Sequence, residues 1–200
     1  MKYIQEKSLV IIKPDGVQRS LIGEVIKRLE RVGLKLIALK FQIPTKDQAK
    51  AHYTIDPMWV EKAGNKALKA RIDHGEDTSQ VTPLDLGNKI LGQLQTYMSS
   101  GPVVVMVWQG AHAVDVIRKL VGGTEPRTSD VGTIRGDFVH DSYEISNIEE
   151  RSVRNVIHAS GTIEEAEKEI QNWFKPEEVI SYRLIAEEIL YDVNIDGVEE

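Results

Sequence analysis

The chain has 200 residues, a formal net charge of −6 from 25 Lys+Arg against 31 Asp+Glu, and 41% hydrophobic content, as one soluble domain of ordinary composition would. It contains no cysteine, so disulfides, thiolate zinc sites and thiol nucleophiles are excluded. The acidic balance argues against a broad basic surface for nucleic acid, but a polyphosphate ligand needs only a few local cations.

Ser8-Leu-Val-Ile-Ile-Lys13 is a β-branched apolar run and reads as a strand buried on both faces. Pro14-Asp15-Gly16 then reads as a turn. Ile22, Val25, Ile26, Leu29 and Val32 recur at helical spacing, with Gly33 as a C-cap. A second strand is expected over 35–43. Thr45-Lys-Asp-Gln48 resembles a capping box whose helix runs to about Tyr53. Residues 55–86 mix Gly, Asp, Lys and Thr with weak periodicity and read as an insertion with some helix. Ile90, Leu91, Leu94 and Met98 restore the helical pattern, and 103–108 is the cleanest buried strand. Val114, Ile117, Leu120 and Val121 mark a helix ending at Gly122-Gly123, followed by a polar loop from 124 to 137. The polar stretch 141–154 reads as a second insertion with a short helix, and 152–158 resumes strand character. Thr162-Ile-Glu-Glu165 is another capping box, opening a helix with Ala166, Ile170, Trp173 and Phe174 on one face. One more short strand or helix is expected within 176–191. This order suits a single-domain α+β sandwich with an antiparallel sheet over 1–200. No apolar run approaches a bilayer span and no secretory signal is read, so the expectation is a cytoplasmic protein with no membrane contact.

Several motifs fail on their chemistry. Gly87-Asn-Lys-Ile-Leu-Gly92 has P-loop glycine spacing, but Gln93 and Leu94 replace the lysine and hydroxyl, and the glycines fall on a predicted helix. Asp192-Val-Asn-Ile-Asp-Gly197 opens like a calcium loop without its bidentate glutamate. His158-Ala-Ser160 lacks the glycine of a nucleophile elbow. The histidines His52, His74, His112, His140 and His158 form no zinc-helix spacing, and for a lone histidine a plain hydrogen-bonded role is the default.

His158 has an unusual setting, at the end of a predicted strand beside an acid-rich capped helix that also carries Glu169. A neutral imidazole is a nucleophile near pH 7, because its reference pKa is about 6.5. Lys13 ends a buried strand and Arg135 sits in Gly132-Thr-Ile-Arg-Gly136. Cations beside glycines and strand ends suit polyphosphate, giving charge-assisted donors with close backbone approach.

The blocks Ile12-Lys-Pro-Asp-Gly-Val-Gln-Arg19, Ser100-Gly-Pro-Val-Val104 with Met106-Val-Trp108, Gly132-Thr-Ile-Arg-Gly-Asp-Phe138 and Asn155-Val-Ile-His-Ala-Ser160 occur in order, followed by Glu165-Ala-Glu-Lys-Glu-Ile170 and Trp173-Phe174. On these blocks the chain resembles a nucleoside diphosphate kinase. The resemblance implies a ferredoxin-like sandwich with a four-stranded antiparallel sheet. It implies a ping-pong phosphotransferase acting on nucleoside di- and triphosphates, with His158 as the phosphorylated nucleophile. Lys13, Arg118, Thr124 and Arg135 would hold phosphates, and Asn155 the ribose and phosphate edge. Tyr53, Ser160 and Glu169 would orient the nucleophile. Mg2+ would be carried mainly by the nucleotide phosphates, with no protein metal ligands, and the assembly would be a homohexamer or homotetramer. A non-catalytic oligomeric relative on the same fold is the alternative. The chain departs from the pattern at Gly161, where the family carries a polar acid that reaches the metal shell through water. It departs again at 55–86, the region expected to supply an aromatic for the base, where Ile90, Trp59 or neither packs on it, and at 141–154.

Overall fold

The computed structural model describes residues 5–73 and 75–191. The rejected calcium-like motif at 192–197 and His74 lie outside the described residues. Strand β1 (Lys7–Ile12) leads into α1 (Pro14–Gln18) and α2 (Ile22–Glu30), and β2 (Lys35–Gln42) leads into α3 (Lys46–Tyr53). Two long helices follow, α4 (Trp59–Asp73) and α5 (Pro83–Met98), before β3 (Val103–Gln109) and α6 (Ala113–Val121). Then come α7 (Ile134–Phe138), α8 (Tyr143–Ile148), β4 (Ile157–Ala159), α9 (Ile163–Trp173) and α10 (Ala186–Tyr191).

The sheet is four-stranded in the order β2-β3-β1-β4, with every neighbouring pair antiparallel. This is the expected ferredoxin-like α+β architecture. The central strands β1 and β3 are buried at nearly every position because both faces are covered. Alternate β1 residues serve opposite cores. Val10 and Ile12 pack with Val25, Leu29 and Ile117 on one face. Leu9 and Ile11 pack with Ala49, Met98, Trp173 and Phe174 on the other. Among the described residues, no helix is long and apolar enough to cross a membrane.

Local structure differs from the sequence reading in four places. Pro14-Asp15-Gly16 is the start of a helix rather than a bare turn, with Pro14 at a position where no N–H is needed. The helix expected within 55–86 is the fifteen-residue α4, and the difference there is that α5 begins at Pro83, well before Ile90. A reciprocal capping box between Thr82 and Asp85 starts α5 there. The expected loop 124–137 contains α7, capped by Thr133. The strand expected over 152–158 shrinks to Ile157–Ala159, because Val156 sits at φ 54. That conformation costs a β-branched residue roughly 1–3 kcal/mol and persists only where neighbours hold it. Here Val156 N–H donates to Asp15 Oδ2 at 3.2 Å, and its carbonyl accepts from Lys13 N–H at 2.8 Å.

Candidate active site

The kink at Val156 separates two candidate side chains on one segment. Asn155, just before it, is buried, and its Oδ1 accepts from Lys13 Nζ at 2.7 Å. Its Nδ2 donates to the Thr124 carbonyl at 3.0 Å. Just after the kink, β4 pairs with β1 and brings His158 opposite Ile11. Ser160 locks the end of that pairing, accepting from Leu9 N–H at 3.0 Å.

A carboxylate organises this end. Glu169, projecting from α9, accepts from Ser160 Oγ at 2.6 Å and lies 2.8 Å from His158 Nε2. Burial pushes its carboxyl pKa up, but the combined charges and hydrogen bonds of His158, His52 and Ser160 outweigh this and hold it below the usual range. An ionised acceptor on Nε2 places the ring proton there. The lone pair of the neutral ring is then on Nδ1. Glu169 is only 2% exposed while the His158 side chain is 19% exposed, so a buried base supports a ring that substrate can reach.

His52 is the residue sequence reasoning missed. Its ring lies 4.5 Å from that of His158, edge to face. Trp173 Nε1–H donates to its Nδ1 at 3.3 Å. Burial, then the proximity of His158, lowers its pKa to about 3, so it is neutral in the folded protein. Tyr53, expected to orient the nucleophile, makes no hydrogen bond to it. Its buried hydroxyl has no hydrogen-bond partner among the described residues, and its ring packs against His52 and Trp59 at 5.0 and 5.6 Å. The only sequence signal for His52 was its place beside Tyr53 on a helix.

The cations lie on the other side. Lys13 is buried, with its Nζ 5.4 Å from the Tyr97 ring centre. Burial, reinforced by Arg135 and opposed by Asp15, lowers its pKa to about 7. Tyr97 in turn donates a very short hydrogen bond to Asp15, and Arg154 stacks over its ring at 4.7 Å. Arg135 is fixed by backbone carbonyls: Nε to Asn155 at 3.3 Å, Nη1 to Gly122 and Gly123 at 2.9 Å each, Nη2 to Ile157 at 2.6 Å. With four N–H groups engaged, one remains for a ligand. Arg118 is exposed on α6 and Thr124 is exposed in the loop after it. The guanidiniums of Arg118 and Arg135 are close enough that Arg118, after burial, depresses the Arg135 pKa, which falls to about 10.

One possible metal cluster, His52, His158 and Glu169, has ligand atoms within 4.8 Å of one another. It does not suit magnesium, which prefers six hard oxygens in octahedral geometry. Both Glu169 oxygens already serve Ser160 and His158. Glu165 Oε2 accepts from Gly161 N–H at 2.7 Å, and a Cβ at Gly161 would meet that oxygen at 2.4 Å. Among the described residues the cleft therefore offers cations and hydroxyls for phosphate and no carboxylate cage, a donor set that fits magnesium carried in on phosphates.

The chain resembles proteins of known activity along most of its length. The family model described as nucleoside diphosphate kinase matches residues 6–179. A nucleoside diphosphate kinase of Pyrobaculum aerophilum is 44% identical over 179 residues, covering 88% of this chain and 98% of that protein. Mouse nucleoside diphosphate kinase B is 41% identical over 187 residues, covering 94% and 97%. The crystal structure of the P. aerophilum NDP kinase superposes with a TM-score of 0.84 at 43% identity, covering 88% of this chain and all of that one. A transition-state mimic of the Borrelia burgdorferi enzyme, with bound vanadate and ADP, superposes with a TM-score of 0.75 at 38% identity, covering 92% and 95%.

Proposed function

The chain belongs to the nucleoside diphosphate kinase family, and on that premise we propose how its residues divide the chemistry. The enzyme moves the γ-phosphate of a nucleoside triphosphate to a nucleoside diphosphate. In the first half-reaction His158 Nδ1 forms a bond to the γ-phosphorus, the bond from that phosphorus to the β–γ bridging oxygen breaks, and the nucleoside diphosphate leaves with the oxygen. In the second, the terminal phosphate oxygen of another nucleoside diphosphate attacks the same phosphorus and the P–N bond breaks. The single observation that carries this reading is the hydrogen bond that His158 Nε2–H donates to Glu169. It frees Nδ1 for attack and stabilises the positive charge that the ring gains when phosphorylated.

The phosphoryl transition state gains chiefly from positioning and from cations. Arg118, Thr124 and the remaining N–H of Arg135 bind the phosphates. Lys13 joins them on the phosphates, and Asn155, which accepts from Lys13 Nζ at 2.7 Å, serves the ribose and phosphate edge. Ser160 holds the unused oxygen of Glu169, and Tyr53 with His52 walls the ring. Magnesium travels on the phosphates and neutralises their charge when bound. The cytoplasm is the compartment this chemistry suits. Homohexameric or homotetrameric assembly is supported by the edge strand β2, whose Leu39 and Phe41, with Ile43 just beyond it, stand 47%, 61% and 67% exposed.

The test is a phosphoenzyme. Incubation with γ-labelled ATP is expected to leave acid-labile, base-stable label on the wild type and none on His158→Ala. An unlabelled wild type would favour the alternative, a non-catalytic oligomeric relative. Label persisting in His158→Ala would overturn the residue assignment alone.

A further inference from the structure

Two segments outside the recognised blocks meet across the cleft. On α4, Trp59 and Lys66 are seven residues apart and share one face. Trp59 packs on Tyr53, which packs on His52, which touches His158. That face of α4 therefore looks toward the nucleophile's side of the cleft. The adjacent face is taken up by α5, where Gly64 and Gly87 allow backbone contact.

From the other side, α8 is tied to the loop that carries Thr124. Tyr143 N–H donates to Glu125 Oε1 at 3.0 Å, Arg127 N–H donates to the Asp141 carbonyl at 3.1 Å, and Arg127 pairs with Glu144 at 3.0 Å. The Tyr143 phenol lies near enough to Arg135 to act on its charge. The two segments join where Lys66 Nζ sits 5.4 Å from the Tyr143 ring centre. Lys89 of α5 also pairs with Glu150 at 2.7 Å, and Gln93 donates to the Glu150 carbonyl at 2.8 Å.

Neither member of the first pair has a strong partner. Lys66 is exposed and lies within ion-pair distance of no carboxylate among the described residues. The Tyr143 hydroxyl makes no hydrogen bond there. An exposed ammonium over a half-buried ring is held weakly and moves readily to an anion. We propose that Lys66 and Tyr143 are a further phosphate-binding pair of this enzyme: in the nucleotide complex the Lys66 ammonium and the Tyr143 hydroxyl bond the polyphosphate chain beside Arg118 and Arg135. The two extra segments thereby add a cation and a donor to the site. This rests on the placement of the phosphates argued under the proposed function.

The test uses the full-length protein, with inorganic tripolyphosphate as a competitive inhibitor beside the nucleotides. Lys66→Gln is expected to raise KM for the nucleoside diphosphate, and the inhibition constant of tripolyphosphate, by about tenfold each, the loss falling on KM rather than kcat. Tyr143→Phe, which keeps the ring under Lys66, is expected to raise both severalfold. Lys66→Arg restores both. Lys69→Gln, also on α4, controls for net charge and changes neither. Unchanged tripolyphosphate inhibition in Lys66→Gln and Tyr143→Phe would overturn the proposal. Loss of nucleotide affinity alone would also overturn it, assigning the pair to the base. Phosphoenzyme formation in the wild type is scored separately, so failure of the phosphohistidine reading is distinguishable from failure of this one.

Discussion

Lys13 is a cation placed where a cation is costly. Burial and Arg135 bring its pKa to about 7 from 10.5, so at pH 8 the empty site holds it mostly neutral. An anionic polyphosphate favours the charged form and raises the pKa again. Nucleotide binding at pH 8 is therefore expected to take up close to one proton, and affinity to fall as pH rises above 7. Calorimetry in two buffers of different ionisation enthalpy measures this directly, and zero uptake would contradict it. The sign for folding is opposite. Between pH 7 and 10.5 the unfolded chain binds the extra proton, so this group makes the empty protein more stable as pH rises through that window. Lys13, Arg135, Asn155 and His158 were legible as candidates because each sits in a distinctive block. His52 was not. Its contact with His158 joins two elements 106 positions apart in the chain, and such a contact leaves no spacing signature.

At the scale of elements, the helix pair α4 and α5 depends on two glycines. A Cβ at Gly64 would lie 1.7 Å from the Pro83 carbonyl oxygen, and one at Gly87 would lie 2.0 Å from that of Val60. The obstacle is backbone in each case, so the helices must separate to admit a methyl group. Gly64→Ala is expected to destabilise the protein by about 1–3 kcal/mol. Gly92→Ala, on the exposed side of α5 with nothing within 4 Å, is expected to stabilise it by about 0.5–1 kcal/mol. Urea unfolding of the two variants checks both signs. The same glycines explain why α4 was hard to see from sequence. Its packing surface is bare backbone, which adds nothing to an apolar period. The strand at 152–158 is shorter than expected for another reason: propensity was overruled at Val156 by hydrogen bonds with distant Lys13, which donates, and Asp15, which accepts.

For the whole molecule, the sheet order places β2 at an edge. Ile180 N–H covers part of it by donating to the Ile37 carbonyl at 2.8 Å, while Phe41 stays 61% exposed. Phe41 belongs to neither core, so Phe41→Lys is expected to leave the subunit folded but lower the mass seen in sedimentation. An unchanged hexamer or tetramer mass would place the contact elsewhere. The α+β class and the buried central strands followed from sequence, and His158 stood out as the candidate nucleophile within its block, because apolar periods and contiguous motifs are local properties of a chain. Tertiary structure alone decided the protonated nitrogen of His158, the buried neutral His52, the four carbonyls on Arg135, and the meeting of Lys66 with Tyr143. Each of these is set by distances between segments far apart in the chain, and a linear order does not contain those distances until the sheet and its two cores bring the segments together.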